Sequence, residues 1–172
     1  MAHVYERLDD KPYRSHHLLV ETVIAHPVEA VWAQALDISS WMTKHRLETI
    51  HGTAGTVGHF ERVFPTGVGD DVPEPHYHLY GVAAIVPHKL IMLEVFPEHG
   101  GSYGDTIVPA DYVGFDGILF TDLDGKTKVS VMLTEMSAKD LSGTGTDEEK
   151  AGTMTAYFEN LRSLLDREER AA

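Results

Sequence analysis

Apolar and polar residues alternate along most of the chain, which is the pattern of β-strands that bury one face. A run rich in aliphatic and β-branched residues at 16–25 predicts the first strand. Six further strands are predicted over 46–51, 54–65, 76–86, 89–97, 111–123 and 126–136. The chain is therefore expected to form mainly antiparallel β-structure, with its helices placed between and after the strands.

Helical spacing replaces this alternation directly after the first strand. Pro27 stands where a first helical residue is favoured, and apolar residues then recur at i, i+3, i+4, i+7 and i+8. Asp37 is a candidate cap for a second helical turn. The apolar positions of these two short helices are Val28, Val31, Trp32, Ala35 and Leu36, followed by Ile38, Trp41 and Met42 together with His45.

The last predicted helix has the clearest start signal. Thr146 and Glu149 have the spacing of a capping box, and the acidic residues between them suit a helix N-terminus. An apolar stripe then follows at helical spacing over about 20 residues. Its members are Met154, Phe158, Leu161 and Leu165. We interpret this stripe as a packing surface rather than a cofactor site.

The dipeptide Asp124-Gly125 lies between two alternating apolar runs and predicts a two-residue hairpin turn. That turn pairs Phe120 with Val129, Ile118 with Val131, Asp116 with Leu133 and Gly114 with Glu135. Asp116 then falls on the inward, apolar face, where an unpaired carboxylate is costly. Either Asp116 lies at a solvated strand end, or it has a polar partner, or its pKa is perturbed.

A second hairpin is predicted around Pro87-His88. A two-residue loop there pairs Ala83 with Met92 and Gly81 with Glu94. Leu79, Met92 and Glu94 are then expected on one apolar face, and His76, His78 and Tyr80 on the opposite one. A three-residue loop would break this pairing. His76 and His78 point the same way on a strand, but no third metal ligand is fixed by spacing, so we expect no metal site.

Composition narrows the class of protein. The length of 172 residues predicts one domain, which we place at 16–170 after a polar arm at 1–15. The formal net charge of −13 makes nucleic acid and anionic membranes poor partners. The absence of cysteine excludes disulfides and thiolate chemistry and fits the cytoplasm. No apolar run is long enough for a membrane span. Loops 65–75 and 97–110 have the length at which loops often carry function.

The order of strand, two short helices, six strands and a long helix resembles the helix-grip fold of the SRPBCC superfamily. That superfamily includes START lipid-transfer domains, pollen-allergen-like proteins, polyketide cyclases and heat-shock-ATPase activator homologues. The matching segments are VIAHPVEAVWAQALDISSW at 23–41, VAAIVPHKLIMLE at 82–94, LDGKTKVSVML at 123–133 and YFENLRSLLD at 157–166. The resemblance implies an α+β fold in which a curved seven-stranded antiparallel sheet wraps around the C-terminal helix and leaves a cavity.

The resemblance also implies a function, namely binding of a small apolar or aromatic molecule in that cavity for carriage or sensing. No cofactor is expected, and a homodimer is an alternative to a monomer. The residues expected to contact the ligand are Trp41, His45, Phe60, Leu79, Met92, Ile118, Phe120, Val131, Met154 and Phe158.

Two alternatives remain open. The first is a cofactor-independent enzyme of the polyketide cyclase, aromatase or dehydratase type. In it, desolvated Asp116 or Glu94 would act as general acid or base, and Tyr112 would hydrogen-bond a carbonyl oxygen. The second is a co-chaperone-like interaction module, as in the heat-shock-ATPase activator branch.

Overall fold

The computed structural model describes residues 14–41, 46–64, 77–98, 112–137 and 146–171. Most of the predicted N-terminal arm and the two long loops lie outside these ranges. The strands and helices, in chain order, are β1 (Arg14–Ile24), α1 (Val28–Ala35), α2 (Ile38–Trp41), β2 (Arg46–His51), β3 (Phe60–Phe64), β4 (Tyr77–Val86), β5 (Leu90–Glu98), β6 (Tyr112–Asp122), β7 (Thr127–Ser137) and α3 (Asp147–Ala171). None of the helices in these ranges is long and apolar enough to cross a membrane.

The strands form one seven-stranded antiparallel sheet in the order β1-β7-β6-β5-β4-β3-β2. Strands β2 to β7 follow one another as a meander, and β1 closes the sheet beside β7. The sheet is curved, and α3 lies against its concave face, which is called the inner face below. This is the helix-grip architecture expected from the order of elements.

The β6–β7 hairpin has the predicted turn and register. Asp124 and Gly125 both have positive φ, at 58° and 85°, as a type I′ turn requires. The Leu123 N–H donates to the Lys126 carbonyl at 2.8 Å. From there, the pairing runs along both strands and aligns Asp116 with Leu133. The turn therefore fixes which side chains of β6 face inward.

The β4–β5 hairpin was predicted only in part. Gly81 does pair with Glu94, but the turn has three residues, and the register shifts between Val82 and Ala84. The prediction of which face of β5 points inward was wrong. Ile91, Leu93 and Val95 are the buried residues of β5, so Met92 and Glu94 lie on the outer face. Because both faces of β5 carry large apolar side chains, alternation alone could not identify the inner one.

Helix α3 begins with the predicted capping box. The Glu149 N–H donates to the Thr146 hydroxyl at 3.2 Å, and the Thr146 N–H donates to the Glu149 carboxylate at 2.8 Å. The helix is longer than predicted, with 25 residues. Its inward stripe is almost completely buried against the sheet and the short helices. This stripe consists of Tyr157, Phe158, Leu161 and Leu165.

Polar contacts hold α3 to the elements around it. The Asn160 amide donates to the Trp41 carbonyl at 3.0 Å, which ties α3 to the end of α2. His26 Nε2 lies 2.8 Å from Asp166 Oδ1 at the far end of β1. Between these points, the Arg162 guanidinium donates to the Thr22 hydroxyl at 3.2 Å. The helix is therefore anchored along its length, and its position over the sheet is fixed.

The predicted strand at 54–65 is shorter in the structure, because residues 53–58 form turns. Gly52 and Gly58 flank these turns, with φ values of 81° and 85°. At Gly52, a Cβ atom would lie only 2.9 Å from the Gly58 carbonyl oxygen and the His59 Cα, whereas at Gly58 it would meet nothing within 4 Å. At position 52, the β2–β3 connection therefore needs glycine for both its positive φ and the close approach of backbone atoms. At position 58, only the positive φ favours glycine.

This difference gives a stability prediction. Gly58→Ala should cost about 1 kcal/mol in the free energy of unfolding, because only the positive φ is unfavourable. Gly52→Ala should cost about 1–3 kcal/mol more, because its Cβ also collides with backbone atoms. Urea denaturation of the two variants measures the difference. Equal losses would show that the close approach at Gly52 is absent in solution.

Candidate functional site

The inner face of the sheet changes character along its strands. Near the β6–β7 turn, it carries the buried apolar residues Phe120 and Val129, then Ile118 and Val131. Farther from the turn, Asp116 and Leu133 occupy the next aligned position, followed by Gly114 and Glu135. One end of the inner face is therefore a packed core, and the other end brings ionisable groups under α3.

Asp116 is the central residue of this polar end. On β5 and β7 its aligned neighbours are Leu93 and Leu133, which are 2% and 8% exposed. Asp116 itself is partly buried, and it has no hydrogen-bond partner among the residues that the structure describes. Burial, and in second place the negative charge of Glu135, raises the pKa of Asp116 to about 7. Its carboxyl group can therefore either hold or release a proton near neutral pH.

Tyr157 brings a hydroxyl group from α3 to the same region. It is 1% exposed, and its ring packs edge-on against Trp41 at 6.1 Å between ring centroids. Burial and the charge of Asp116 both raise the pKa of the Tyr157 hydroxyl above its ordinary value. The hydroxyl therefore stays protonated at neutral pH. Asp116, Tyr157 and Trp41 form a group between the sheet and the helices.

Glu135 belongs to a charged cluster at the edge of this group. The Lys150 ammonium on α3 donates to Glu135 Oε2 at 2.5 Å, and both side chains are mostly buried. His16 Nδ1 lies 3.6 Å from the same oxygen, and His16 Nε2 lies 2.8 Å from Asp147 Oδ1. The negative charge of Glu135 adds to the effect of burial in raising the pKa of Asp116.

Several residues expected to contact a ligand do lie on the inner side. Trp41 and Phe158 are buried in the core, and Met154 is partly buried against the same core. Ile118, Phe120 and Val131 belong to the packed end, where Trp32 meets the Phe120 ring edge-on at 5.2 Å. These three residues lie on the inner face between Asp116 and the β6–β7 turn.

Other expected site residues lie on the outer face. Met92 extends toward Gly117, where an added Cβ would be 3.8 Å from the Met92 methyl group. Phe60 covers Gly81, where an added Cβ would be 2.4 Å from its ring. Glu94 lies on the same face of the sheet as Gly81, and so does the backbone position of Leu79, two residues before Gly81 on β4. The expectations for Met92, Phe60 and Glu94 are thus corrected, because strand alternation directs them away from α3.

Four further residues singled out from the sequence lie outside the described residues or the described side chains. His45 and His76 lie outside the described residues. The backbones of Tyr112 and His78 are described, with Tyr112 aligned opposite Ser137, but their side chains are not. Among the described residues, no group of three or more His, Asp or Glu side chains is arranged to hold a metal ion.

Sequence reasoning missed a second buried polar pair on the inner face. His59 and Glu61 are 2% and 4% exposed, and their side chains meet with His59 Nε2 3.0 Å from Glu61 Oε1. Glu61 is aligned with Tyr80 on β4, which packs against the core. The sequence feature that could have predicted this pair is the two-residue spacing of His59 and Glu61, which places both side chains on one face of a strand.

Comparison with known proteins supports the fold but no closer relationship. No protein-family model and no curated protein matches this chain. Among solved structures, norcoclaurine synthase from Thalictrum flavum in complex with dopamine and hydroxybenzaldehyde is similar, with a TM-score of 0.68 and 12% identity, over 97% of this chain and 96% of that one.

Two other solved structures show the same architecture. Ara h 8.0201 is similar with a TM-score of 0.61 and 15% identity, over 88% of this chain and 98% of that one. An uncharacterized protein from Rhizobium leguminosarum has a TM-score of 0.63 and 17% identity, over 91% and 97% of the two chains. These neighbours match over nearly their whole length, which supports the helix-grip fold of this chain.

The electrostatics of Asp116 can be tested directly. We expect the Asp116 carboxyl carbon, followed by NMR, to titrate at about pH 7. In Glu135→Gln it should titrate at a lower pH, because the neighbouring negative charge is removed. A midpoint near the ordinary value of 3.8 in the unmodified chain would contradict the assignment.

The same shift predicts a pH dependence of stability. Between about pH 4 and pH 7, the folded state holds the Asp116 proton more tightly than the unfolded state, so stability falls as pH rises through this window. Relative to Asp116→Asn, the unmodified chain should lose up to about 4 kcal/mol across it. Urea denaturation at several pH values measures the difference. A difference that is constant with pH would refute the shift.

Proposed function

We propose that this protein binds a small, mainly apolar or aromatic molecule between the inner face of the sheet and α3, as a carrier or sensor. The observation that carries the proposal is Asp116, a carboxyl group without a hydrogen-bond partner among the described residues, enclosed by Leu93 and Leu133 yet partly accessible. Burying such a group is unfavourable unless something else satisfies it. A bound molecule with a polar group at this position would do so.

The surroundings of Asp116 suit such a molecule. Trp41, Met154 and Leu133 provide apolar and aromatic surface, while Asp116 and Tyr157 provide a small number of polar groups. Mostly apolar surface with a few polar groups is the usual composition of a small-molecule site. The similar norcoclaurine synthase structure is a complex with dopamine and hydroxybenzaldehyde, and this supports the proposal of a small aromatic ligand.

Native mass spectrometry of the purified protein tests the carrier function. We expect an adduct of a few hundred daltons, which denaturing extraction releases as an apolar or aromatic compound. Asp116→Leu should reduce its occupancy, because the polar anchor is lost. Glu94→Gln, which alters a carboxylate on the outer face, should not change it. An unliganded mass that persists after incubation with the host cell extract would contradict tight carriage.

A second candidate function follows from the pKa of Asp116, which lies at about 7. A carboxyl group with that pKa can act as a general base at neutral pH. In an enolisable carbonyl compound, the Asp116 carboxylate would accept the proton α to the carbonyl, and the protonated Tyr157 hydroxyl would hydrogen-bond the oxygen that gains charge. The proposed enzyme is a cofactor-independent cyclase or dehydratase. The described residues offer no feature that favours the co-chaperone-like alternative.

Proton exchange tests this chemistry without knowledge of the substrate. In deuterated buffer, the protein should accelerate deuterium incorporation at the α-carbon of 2-tetralone, as followed by NMR. The accelerated rate should rise with pH to a plateau above about 7, because only the ionised carboxylate is a base. Asp116→Asn should reduce it at least about tenfold, and Glu94→Gln should leave it unchanged. Equal rates in Asp116→Asn and the unmodified chain would exclude Asp116 as the base.

A further inference from the structure

The buried pair of His59 and Glu61 has one unsatisfied atom. Glu61 Oε1 lies 3.0 Å from His59 Nε2, but Glu61 Oε2 has no hydrogen-bond partner. Among the described residues, it is the one buried side-chain oxygen or nitrogen without such a partner. Buried polar atoms are nearly always paired in folded proteins, because an orphaned carboxylate oxygen loses its hydration without compensation. An unpartnered oxygen on the inner face therefore calls for an explanation by function.

The hydrogen bonds of His59 determine what Glu61 can offer. His59 Nδ1 lies 3.1 Å from the His51 carbonyl oxygen, which can only accept, so Nδ1 carries a proton. The contact between Nε2 and Oε1 then needs one proton, held by either partner. In both cases, Oε2 retains only lone pairs. It can accept a hydrogen bond but cannot donate one.

Glu61 is on the same inner face as Asp116, three strands away across the sheet. Its strand, β3, is separated from β6 by β4 and β5, which amounts to three interstrand spacings of about 4.8 Å, or roughly 14 Å along the sheet. The inner surface between them consists of apolar and aromatic side chains, including Tyr80, Val95 and Leu93. Curvature of the sheet and the reach of both side chains shorten the distance that a molecule must span.

We propose that Glu61 Oε2 is a second polar anchor of the site, which accepts a hydrogen bond from a hydroxyl or amino group at the far end of the bound molecule, with His59 as the residue that positions it. This inference rests on the proposed binding function. It specifies the class of ligand: an elongated, mainly apolar or aromatic molecule with a polar group at one end for Asp116 and a hydrogen-bond donor at the other end for Glu61. Molecules ending in a carboxylate, an ether or a methyl group at the Glu61 end are disfavoured.

Two fluorescent probes of similar shape test this assignment. The first is trans-4,4′-dihydroxystilbene, which has a donor at each end, and the second is trans-4-hydroxy-4′-methoxystilbene, which has only one. We expect the unmodified protein to bind the dihydroxy probe at least about tenfold more tightly, because the methoxy compound has a single hydroxyl group and leaves either Glu61 Oε2 or Asp116 without one. Fluorescence titration gives both dissociation constants.

Three variants separate binding from folding. Glu61→Met keeps the length of the side chain but removes the acceptor, so the ratio of the two dissociation constants should fall to about one. Glu61→Gln can turn its nitrogen toward His59 and present its oxygen in place of Oε2, so it should retain the preference and serve as the folded control. Glu94→Met makes the same chemical change on the outer face and should leave the ratio unchanged.

The outcomes distinguish this inference from the binding function itself. A ratio near one in the unmodified protein, or an unchanged preference in Glu61→Met, would overturn the role of Glu61 while leaving aromatic binding intact. If neither probe binds the unmodified protein, the proposed aromatic ligand class fails and the anchor fails with it. A preference that is present in the unmodified chain and Glu61→Gln but lost in Glu61→Met supports both.

Discussion

The packing of α3 against the concave face of the sheet is the constraint on which the rest of the structure depends. Tyr157, Phe158, Leu161 and Leu165 are almost completely buried there, and each such side chain contributes about 1.5–3 kcal/mol by its removal from water. One straight helix cannot cover a curved seven-stranded sheet evenly. The short helix α1 covers the end at Phe120, where Trp32 packs edge-on against the Phe120 ring, and the other end of the inner face carries different side chains.

The polar groups at that other end are unfavourable for stability. Asp116 is desolvated and faces the like charge of Glu135, and Glu61 has an oxygen without a partner. A sequence selected for stability alone would place apolar residues at both positions, because a buried carboxylate is expensive even when it is paired. Groups that cost folding free energy and share one interior face are typical of binding and catalytic sites. The apolar packing at the other end of the inner face offsets the free-energy cost of these two carboxyl groups.

The fold could be predicted from the sequence where a short motif allows only one local backbone conformation. Asp124-Gly125 requires one turn geometry, and that turn determined the register and the inward position of Asp116. The capping box at Thr146 likewise located the start of α3. Prediction failed in β5, because LIMLEVF is apolar on both faces and the inner face depends on contacts with distant elements. It failed for Glu61 for a related reason. Phe60 is an obvious core residue by type, but Gly81 gives it a place on the outer face, and Glu61 is then turned inward.

Methyl NMR can show whether the interior between Asp116 and α3 receives a ligand. The chain has methyl groups on both sides of the sheet: Leu93, Leu133 and Met154 inside, and Leu19, Leu119 and Met132 on the exposed outer face. On titration with trans-4-hydroxystilbene, we expect shifts and intermolecular NOEs confined to the inner set, with saturation at one molecule per chain. Shifts confined to the outer set would show that the probe binds the exposed apolar surface and would contradict an interior ligand site.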